Sequence, residues 1–340
     1  MNMHSPCSRS FLYCIRNFAP RLLASAFAFA LALAFASLAH AAFPDKPIKL
    51  MIGFPAGGPL DTHARLLVDK LQQALGVPVI VDYKAGAGGS MGAEFVAKSA
   101  PDGYTLLVAN TGTMVINPPL YAALPYDTLR DFVPIARTAQ QPLVMVVNND
   151  VPVKTLGELI TYAKSNPGKL NYGSAGNGGI SHLVPEMLKQ ATGINMLHVP
   201  YKGTAPAFTD LLGGQVQFMA ESIPQVSQYV KQGKVRALAI TSPQRSNTLP
   251  EVPTMAEAGV KNFEVVGFYG ILAPAKTPKE IVARLSEAFR AAIESPEVNT
   301  RMVQLGADPA YLGSDAFAAF LKVESERWEK VVKAAGVKLD

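Results

Sequence analysis

Short apolar runs alternate with amphipathic segments along most of the chain, and this alternation restricts the fold more than any other feature. The runs IKLMIGF (48–54), VPVIVDY (77–83), YTLLVAN (104–110), LVMVVN (143–148), KLNYGS (169–174), NMLHVPY (195–201), VQFMA (216–220) and VRALAIT (235–241) have the length and composition of short strands. Between them, DTHARLLVDKLQQAL (61–75), TLGELITYAKS (155–165), SHLVPEMLKQAT (181–192), TAPAFTDLLGG (204–214) and PQVSQYVKQG (224–233) repeat apolar residues at helical spacing. Glycine closes several of these segments, as a left-handed helix cap requires. The order predicts an α/β fold with mostly parallel sheets covered by helices. From Pro278 onward the pattern is helical only, so that block is expected to pack on sheets made earlier. Two extended segments, 138–148 and 263–274, are expected to cross between two lobes, one built from both ends of the chain and one from its middle. A ligand cleft then lies between the lobes, at the carboxyl ends of the strands.

The first forty-odd residues stand apart. Arg9, Arg16 and Arg21 form a basic leader, followed by LLASAFAFALALAFASLA and the small-x-small sequence Ala39-His40-Ala41. This is the pattern of a secretory signal peptide over residues 1–41, cleaved near Ala41, and it implies export to the periplasm. Both cysteines, Cys7 and Cys14, fall inside it, so the mature chain is expected to hold no disulfide, Cys-metal site or thiol nucleophile. Removing three of the 31 basic residues leaves 28 against 26 acidic ones, a balance of +2. With no Lys/Arg run and no interleaved aromatics, nucleic acid is not expected as a partner.

Three Gly-rich loops join strand-like to helix-like segments: GFPAGGPLDTHAR (53–65), GAGGSMGA (86–93) and NYGSAGNGGISHL (171–183). None contains Gly-Lys-Ser/Thr, and the second has the wrong spacing for a dinucleotide fingerprint. What remains is the tendency of a glycine-lined helix N-terminus to present unpaired N–H groups to an anion. Gly88-Gly89-Ser90-Met91-Gly92 also matches GxSxG, which keeps open an exported serine hydrolase with Ser90 as nucleophile and Asp150 with His182 or His198 as partners. The other reading of Ser90 is a helix cap or a ligand-binding hydroxyl. Asp61 is read as a helix N-cap paired with Arg65. The histidines lack metal-ligand spacing, so neither metal nor cofactor is expected.

Beyond these local signals, FPAGGPLDTHAR, GAGGSMGAEFVAKSAPDGYTLL, NTGTMVINPPLY, LNYGSAGNGGISHL, HVPYKGTAPAFTDLLGGQVQFM, LPEVPTMAEAG and FYGILAPAKTP resemble, in order, the Bug family. These are extracytoplasmic solute receptors of tripartite tricarboxylate transporters. The resemblance implies a two-lobed periplasmic-binding-protein fold of type II-like form, with two crossing hinge strands. Lobe 1 is expected over 42–142 and 268–340, and lobe 2 over 143–267. It further implies a monomer, a small mono- or dicarboxylate as ligand, and membrane permease subunits as partners. Carried onto this sequence, the ligand-binding positions are Phe54, Ala56, Gly57 and Gly58 on one wall and Ser174, Gly176, Asn177 and Gly178 on the other. Thr111, Thr113 and Asp210 resemble positions near the ligand, and Gly89 and Ser90 positions at the rim. Two departures stand out. Pro59-Leu60 follows the first glycine pair, where relatives often carry Ser or Thr. Glu221-Ser222-Ile223-Pro224 stands where Asp-Asn-Leu-Pro is common, so Glu221 either recognises a donor on the ligand or turns to solvent.

Overall fold

A single long strand, β4 (Phe132–Asn148), joins the two halves of the sheet. The computed structural model describes residues 43–339, so the expected signal peptide lies outside the described residues. The first part of β4 pairs antiparallel with β9 (Val266–Pro274), which pairs antiparallel with β3 (Thr105–Asn110). β1 (Ile48–Ile52) lies parallel to β3 and to β2 (Val79–Tyr83), completing that half. The second part of β4 runs antiparallel to β7 (Phe218–Ser222) on one side and to β8 (Val235–Ile240) on the other. β5 (Asn171–Ser174) then pairs parallel with β7 and with β6 (Leu197–Pro200).

The strands expected from apolar runs are therefore present, and the two crossing segments are β4 and β9. Each half is parallel away from the crossing, but the crossing strands make the sheet mixed. The reason is directional: β4 leaves the first half and β9 returns to it, so the two run opposite ways side by side. β4 is buried throughout its second part, with Leu143 to Val147 at most 1% exposed, as expected for a central strand covered on both faces.

One expectation fails. The block after Pro278 is not purely helical, because β10 (Asp308–Gly313) pairs antiparallel with β4 through a register shift between Pro309 and Leu312. Its sequence, DPAYLG, lacks an apolar run, and proline is tolerated there because the strand pairs at a bulge.

Helices follow most strands. α1 (Pro59–Leu75) follows β1, α2 (Ser90–Ala97) follows β2, and a π-helical turn (Gly112–Ile116) with α3 (Asn117–Leu120) follows β3. α4 (Leu156–Ser165) precedes β5, whereas α5 (Ile180–Thr192), α6 (Thr204–Leu212) and α7 (Ile223–Lys231) follow β5, β6 and β7. The tail adds α8 (Lys279–Glu294), α9 (Pro296–Gln304) and α10 (Ser314–Ala335). Gly76 and Gly193 end α1 and α5 in the left-handed conformation, at φ +74° and +70°, where a side chain would be strained. Apolar faces of α5 and α10 pack with β3 and the second part of β4 in the larger core, through Leu183, Leu188, Phe317 and Trp328. This arrangement brings the loops after β1, β3, β5 and β7 to one place.

Candidate ligand-binding cleft

Those four loops surround a cavity of about 760 Å³. Its first wall is the segment Phe54–Asp61, which leads into α1. Gly58 is the extended N-cap and Pro59 the first helical residue, a position where a missing N–H costs no hydrogen bond. Asp61 is therefore not the N-cap but the third residue of the helix. It reaches back to accept the Gly57 N–H at 2.7 Å, the Arg65 Nε at 2.8 Å and the Tyr83 hydroxyl at 2.6 Å. Burial pushes its carboxyl up, but Tyr83, Gly57 and Arg65 together outweigh that and hold it below the ordinary value.

The facing wall is the loop between β5 and α5, and neutral side chains hold it. Ser174 Oγ accepts the Gly176 N–H at 3.2 Å, and Ser181 Oγ accepts the Ala175 N–H at 3.1 Å. His182 Nδ1 accepts the Gly178 N–H at 3.0 Å. The His182 ring lies flat on His198, centroids 3.8 Å apart, and His198 stacks on Tyr172 at 4.8 Å. Burial lowers both imidazoles, His198 to about 4, so the stack is uncharged. At Gly178, with φ +74°, a Cβ would also collide with the Leu120 side chain, so α3 packs against this wall there.

The structure brings together Phe54, Ala56, Gly57, Gly58, Gly176, Asn177, Gly178 and Glu221 around the cavity. The other expected positions lie elsewhere. Gly89 sits beneath the first wall, where a Cβ would strike Thr113 and the Phe54 ring, and Ser90 is buried with its hydroxyl accepting from Asn117 Nδ2 at 3.1 Å. Thr113 is buried and bonds Gly88 and Asn110, while Ser174 is committed to its own loop and to His198 at 2.6 Å. Asp210 accepts the Tyr201 hydroxyl at 2.6 Å. Thr111 lines a smaller recess of about 100 Å³, shared with Glu221, and its hydroxyl accepts the Phe268 N–H at 2.7 Å. Sequence reasoning missed Asn110, Tyr121, Thr204, Ser222, Gln225 and Tyr269 as lining residues. Tyr121 and Tyr269 ended quoted family-like stretches or lay inside them, but nothing local marked either as facing a cavity.

The wall chemistry is lopsided. Among the described residues lining the cavity there is no Lys, Arg or His, and the acids are Asp61 and Glu221. Positive potential comes from the backbone instead. Leu60 and Asp61 in α1, and Ile180 and Ser181 in α5, carry first-turn N–H groups with no partner inside their helices.

The family profile described as "Tripartite tricarboxylate transporter family receptor" matches residues 63–337. The chain belongs to this receptor family. BugT of Bordetella pertussis is 38% identical over 298 residues, spanning 87% of this receptor and 91% of the relative. Among solved structures, Rpa4515 of R. palustris with adipate has a TM-score of 0.77 at 33% identity, covering 87% of this receptor and 99% of that chain. MatC from Rhodopseudomonas palustris with bound malate has a TM-score of 0.73 at 35% identity, covering 85% and 100%. The receptor therefore has the two-lobed α/β fold of solute-binding proteins, with its cleft between the lobes.

The receptor's geometry gives the GxSxG alternative no support. Its three described histidines are engaged elsewhere: His63 with Thr138 at 2.8 Å, His182 with Gly178 and His198 with Ser174. None bonds Ser90. The glycines around Ser90 let backbone pack on backbone, since a Cβ on Gly53 or Gly92 would strike the neighbouring loop.

Proposed function

We propose that this receptor works in the periplasm, where it captures a small organic carboxylate between the α1 and α5 walls and delivers it to membrane permease subunits. The observation that carries this reading is the convergence of two helix N-termini, from helices of 17 and 13 residues, on a cavity lined by no basic side chain. Uncommitted N–H groups in that setting favour an anion that accepts several hydrogen bonds at once. Bonds to a charged group contribute about 1.5–3 kcal/mol each, so a few suffice for micromolar affinity. The adipate and malate held by the two relatives are of this chemical class.

On this reading the site comprises Phe54, Ala56, Gly57 and Gly58 opposite Gly176, Asn177 and Gly178, with Glu221 between them. The lobes are 42–142 with 268–340, and 143–267. The strand pairing of β4 supports that division, because Pro142 still faces Val266 of β9 whereas Leu143 faces Ser222 of β7. Ligand closes the lobes of a monomer, and the closed form is what the permease recognises. The leader is removed near Ala41. The receptor carries out no covalent chemistry and needs no cofactor.

A thermal-shift screen of the mature protein against small carboxylates tests the reading. A ligand at 100 times its dissociation constant stabilises by about 2.7 kcal/mol, a readily measured rise in melting temperature. If no organic acid shifts the transition while a sugar or a cation does, the assignment is wrong.

A further inference from the structure

Glu221 is the penultimate residue of β7, at the base of the cleft, and is only 6% exposed. It borders both the main cavity and the small recess beside it. Its Oε1 accepts the Ser222 N–H at 2.8 Å and the Ser222 hydroxyl at 3.3 Å, and its Oε2 accepts the Thr204 hydroxyl at 2.9 Å. All three donors are neutral. A carboxylate offers roughly four lone-pair positions, so one acceptor position is left over. The other acid of the lining, Asp61, also accepts three donors, but one of them is the Arg65 guanidinium, so it already has a counter-charge.

The titratable surroundings supply no counter-charge. The adjoining residues of β4 and β8 and the first turn of α7 carry none, α6 contributes Asp210, already bonded to Tyr201, and β9 contributes Tyr269. Tyr121 completes the titratable lining of the cavity with Asp61. Burial accordingly pushes the Glu221 carboxyl up, against the pull of Ser222 and Thr204.

A plain dicarboxylate brings two negative charges into a cavity that already holds one buried acid without a cation. An amino-carboxylate satisfies both ends: its carboxylate meets the N-termini of α1 and α5, and its ammonium meets Glu221. We propose that Glu221 binds a ligand ammonium group and that the receptor selects amino-carboxylates over dicarboxylates of the same length. This rests on the carboxylate-receptor reading above and narrows it to one ligand class.

Isothermal titration of the mature protein with α- and ω-amino acids of three to six carbons, each matched to the dicarboxylate of the same length, decides the matter. The expected result is at least tenfold tighter binding of one or more amino acids than of their matched dicarboxylates. Glu221→Gln should then lose at least tenfold in amino-acid affinity. It keeps an acceptor for Ser222, its amide N–H can donate to the Thr204 hydroxyl, and its melting curve reports whether it is folded. Lowering the pH on the wild-type protein gives an independent readout. As Glu221 takes up a proton at lower pH, amino-acid affinity should fall and dicarboxylate affinity should rise. Tighter binding of dicarboxylates at neutral pH, or amino-acid affinity unchanged in Glu221→Gln, overturns the ammonium assignment while leaving a carboxylate receptor. Binding of neither class overturns the ammonium assignment, and the carboxylate reading falls with it if no other organic acid shifts the melting transition.

Discussion

The two walls of the cleft have the same task and hold themselves in place by opposite means. The α1 wall hangs on a charge: Asp61 ties together the Gly57 N–H, Arg65 and Tyr83. The α5 wall hangs on neutral groups, with Ser174, Ser181 and His182 each taking one loop N–H and a stacked His182–His198–Tyr172 column behind them. In both, some of the N–H groups that a sequence reader would assign to the ligand are consumed in fixing the loop. The price of a pre-ordered site is fewer free donors. Acid should therefore affect the walls differently, because one depends on an ionised carboxylate and the other on uncharged imidazoles.

Removing the charged anchor should have the largest effect. Asp61→Ala leaves the Gly57 N–H, Arg65 and Tyr83 without their common acceptor, and a loss of about 2–3 kcal/mol is expected in urea unfolding. Ligand affinity in the same variant should drop by more than tenfold. A stable variant with wild-type affinity would mean that the first wall does not need its charge.

The next effect concerns the point where the α5 wall meets α3. Gly178→Ala suffers both the positive φ and the collision with Leu120, so about 1–3 kcal/mol and a clear loss of affinity are expected. Adding Leu120→Ala restores space but not the backbone strain, so it should recover affinity more than stability. Equal recovery of both would show that contact with Leu120 was the whole cost.

Acid tests the neutral wall. His182 and His198 are held below the ordinary imidazole value, His198 at about 4, and burial takes His63 to about 3. Because these folded-state values lie below that of the unfolded chain, the unfolded state binds more protons at intermediate pH. Stability is thus fully present above pH 6.5 and declines as pH falls from there toward 4 and then 3. The fully buried His63 contributes a slope of up to about 1.4 kcal/mol per pH unit. Asp61, held low, stays ionised over most of that range, so the Asp61 anchor should persist while the histidines, His63 of α1 among them, are challenged. Urea midpoints at pH 7, 5.5 and 4.5 measure the decline. His182→Asn, which keeps an acceptor for Gly178, should be milder than His182→Ala by about 1 kcal/mol.

The smallest effect is expected behind the walls. Ser90→Ala removes one hydrogen bond to Asn117 and should change ligand affinity by less than about twofold, at a stability cost of about 1 kcal/mol. A large loss of affinity would place Ser90 in the site after all.

The walls were legible as Gly-rich loops ahead of helices because glycine and helical periodicity are local signals. The helix cap was misplaced by three residues, at Asp61 instead of Gly58, since Gly-Gly-Pro-Leu looks like loop although proline suits the first helical turn. β10 was missed because its half-buried residues form no apolar run. Gly89 and Ser90 resembled a rim, yet Gly89 and Gly92 pack backbone to backbone on Gly53, far earlier in the chain, and Ser90 bonds Asn117.

By itself the sequence determined the order of strands and helices, the two crossing segments and the loops that face a cleft. Those follow from the spacing of apolar residues and the freedom of glycine, which act over a few positions. Only the tertiary structure decided which N–H groups remain for a ligand and whether Glu221 is buried. Those depend on partners brought from far along the chain: Tyr83 is 22 positions from Asp61, and His198 is 24 from Ser174. Glu221 looks like any acid at the end of an apolar run until Thr204 and the strand β4 close over it.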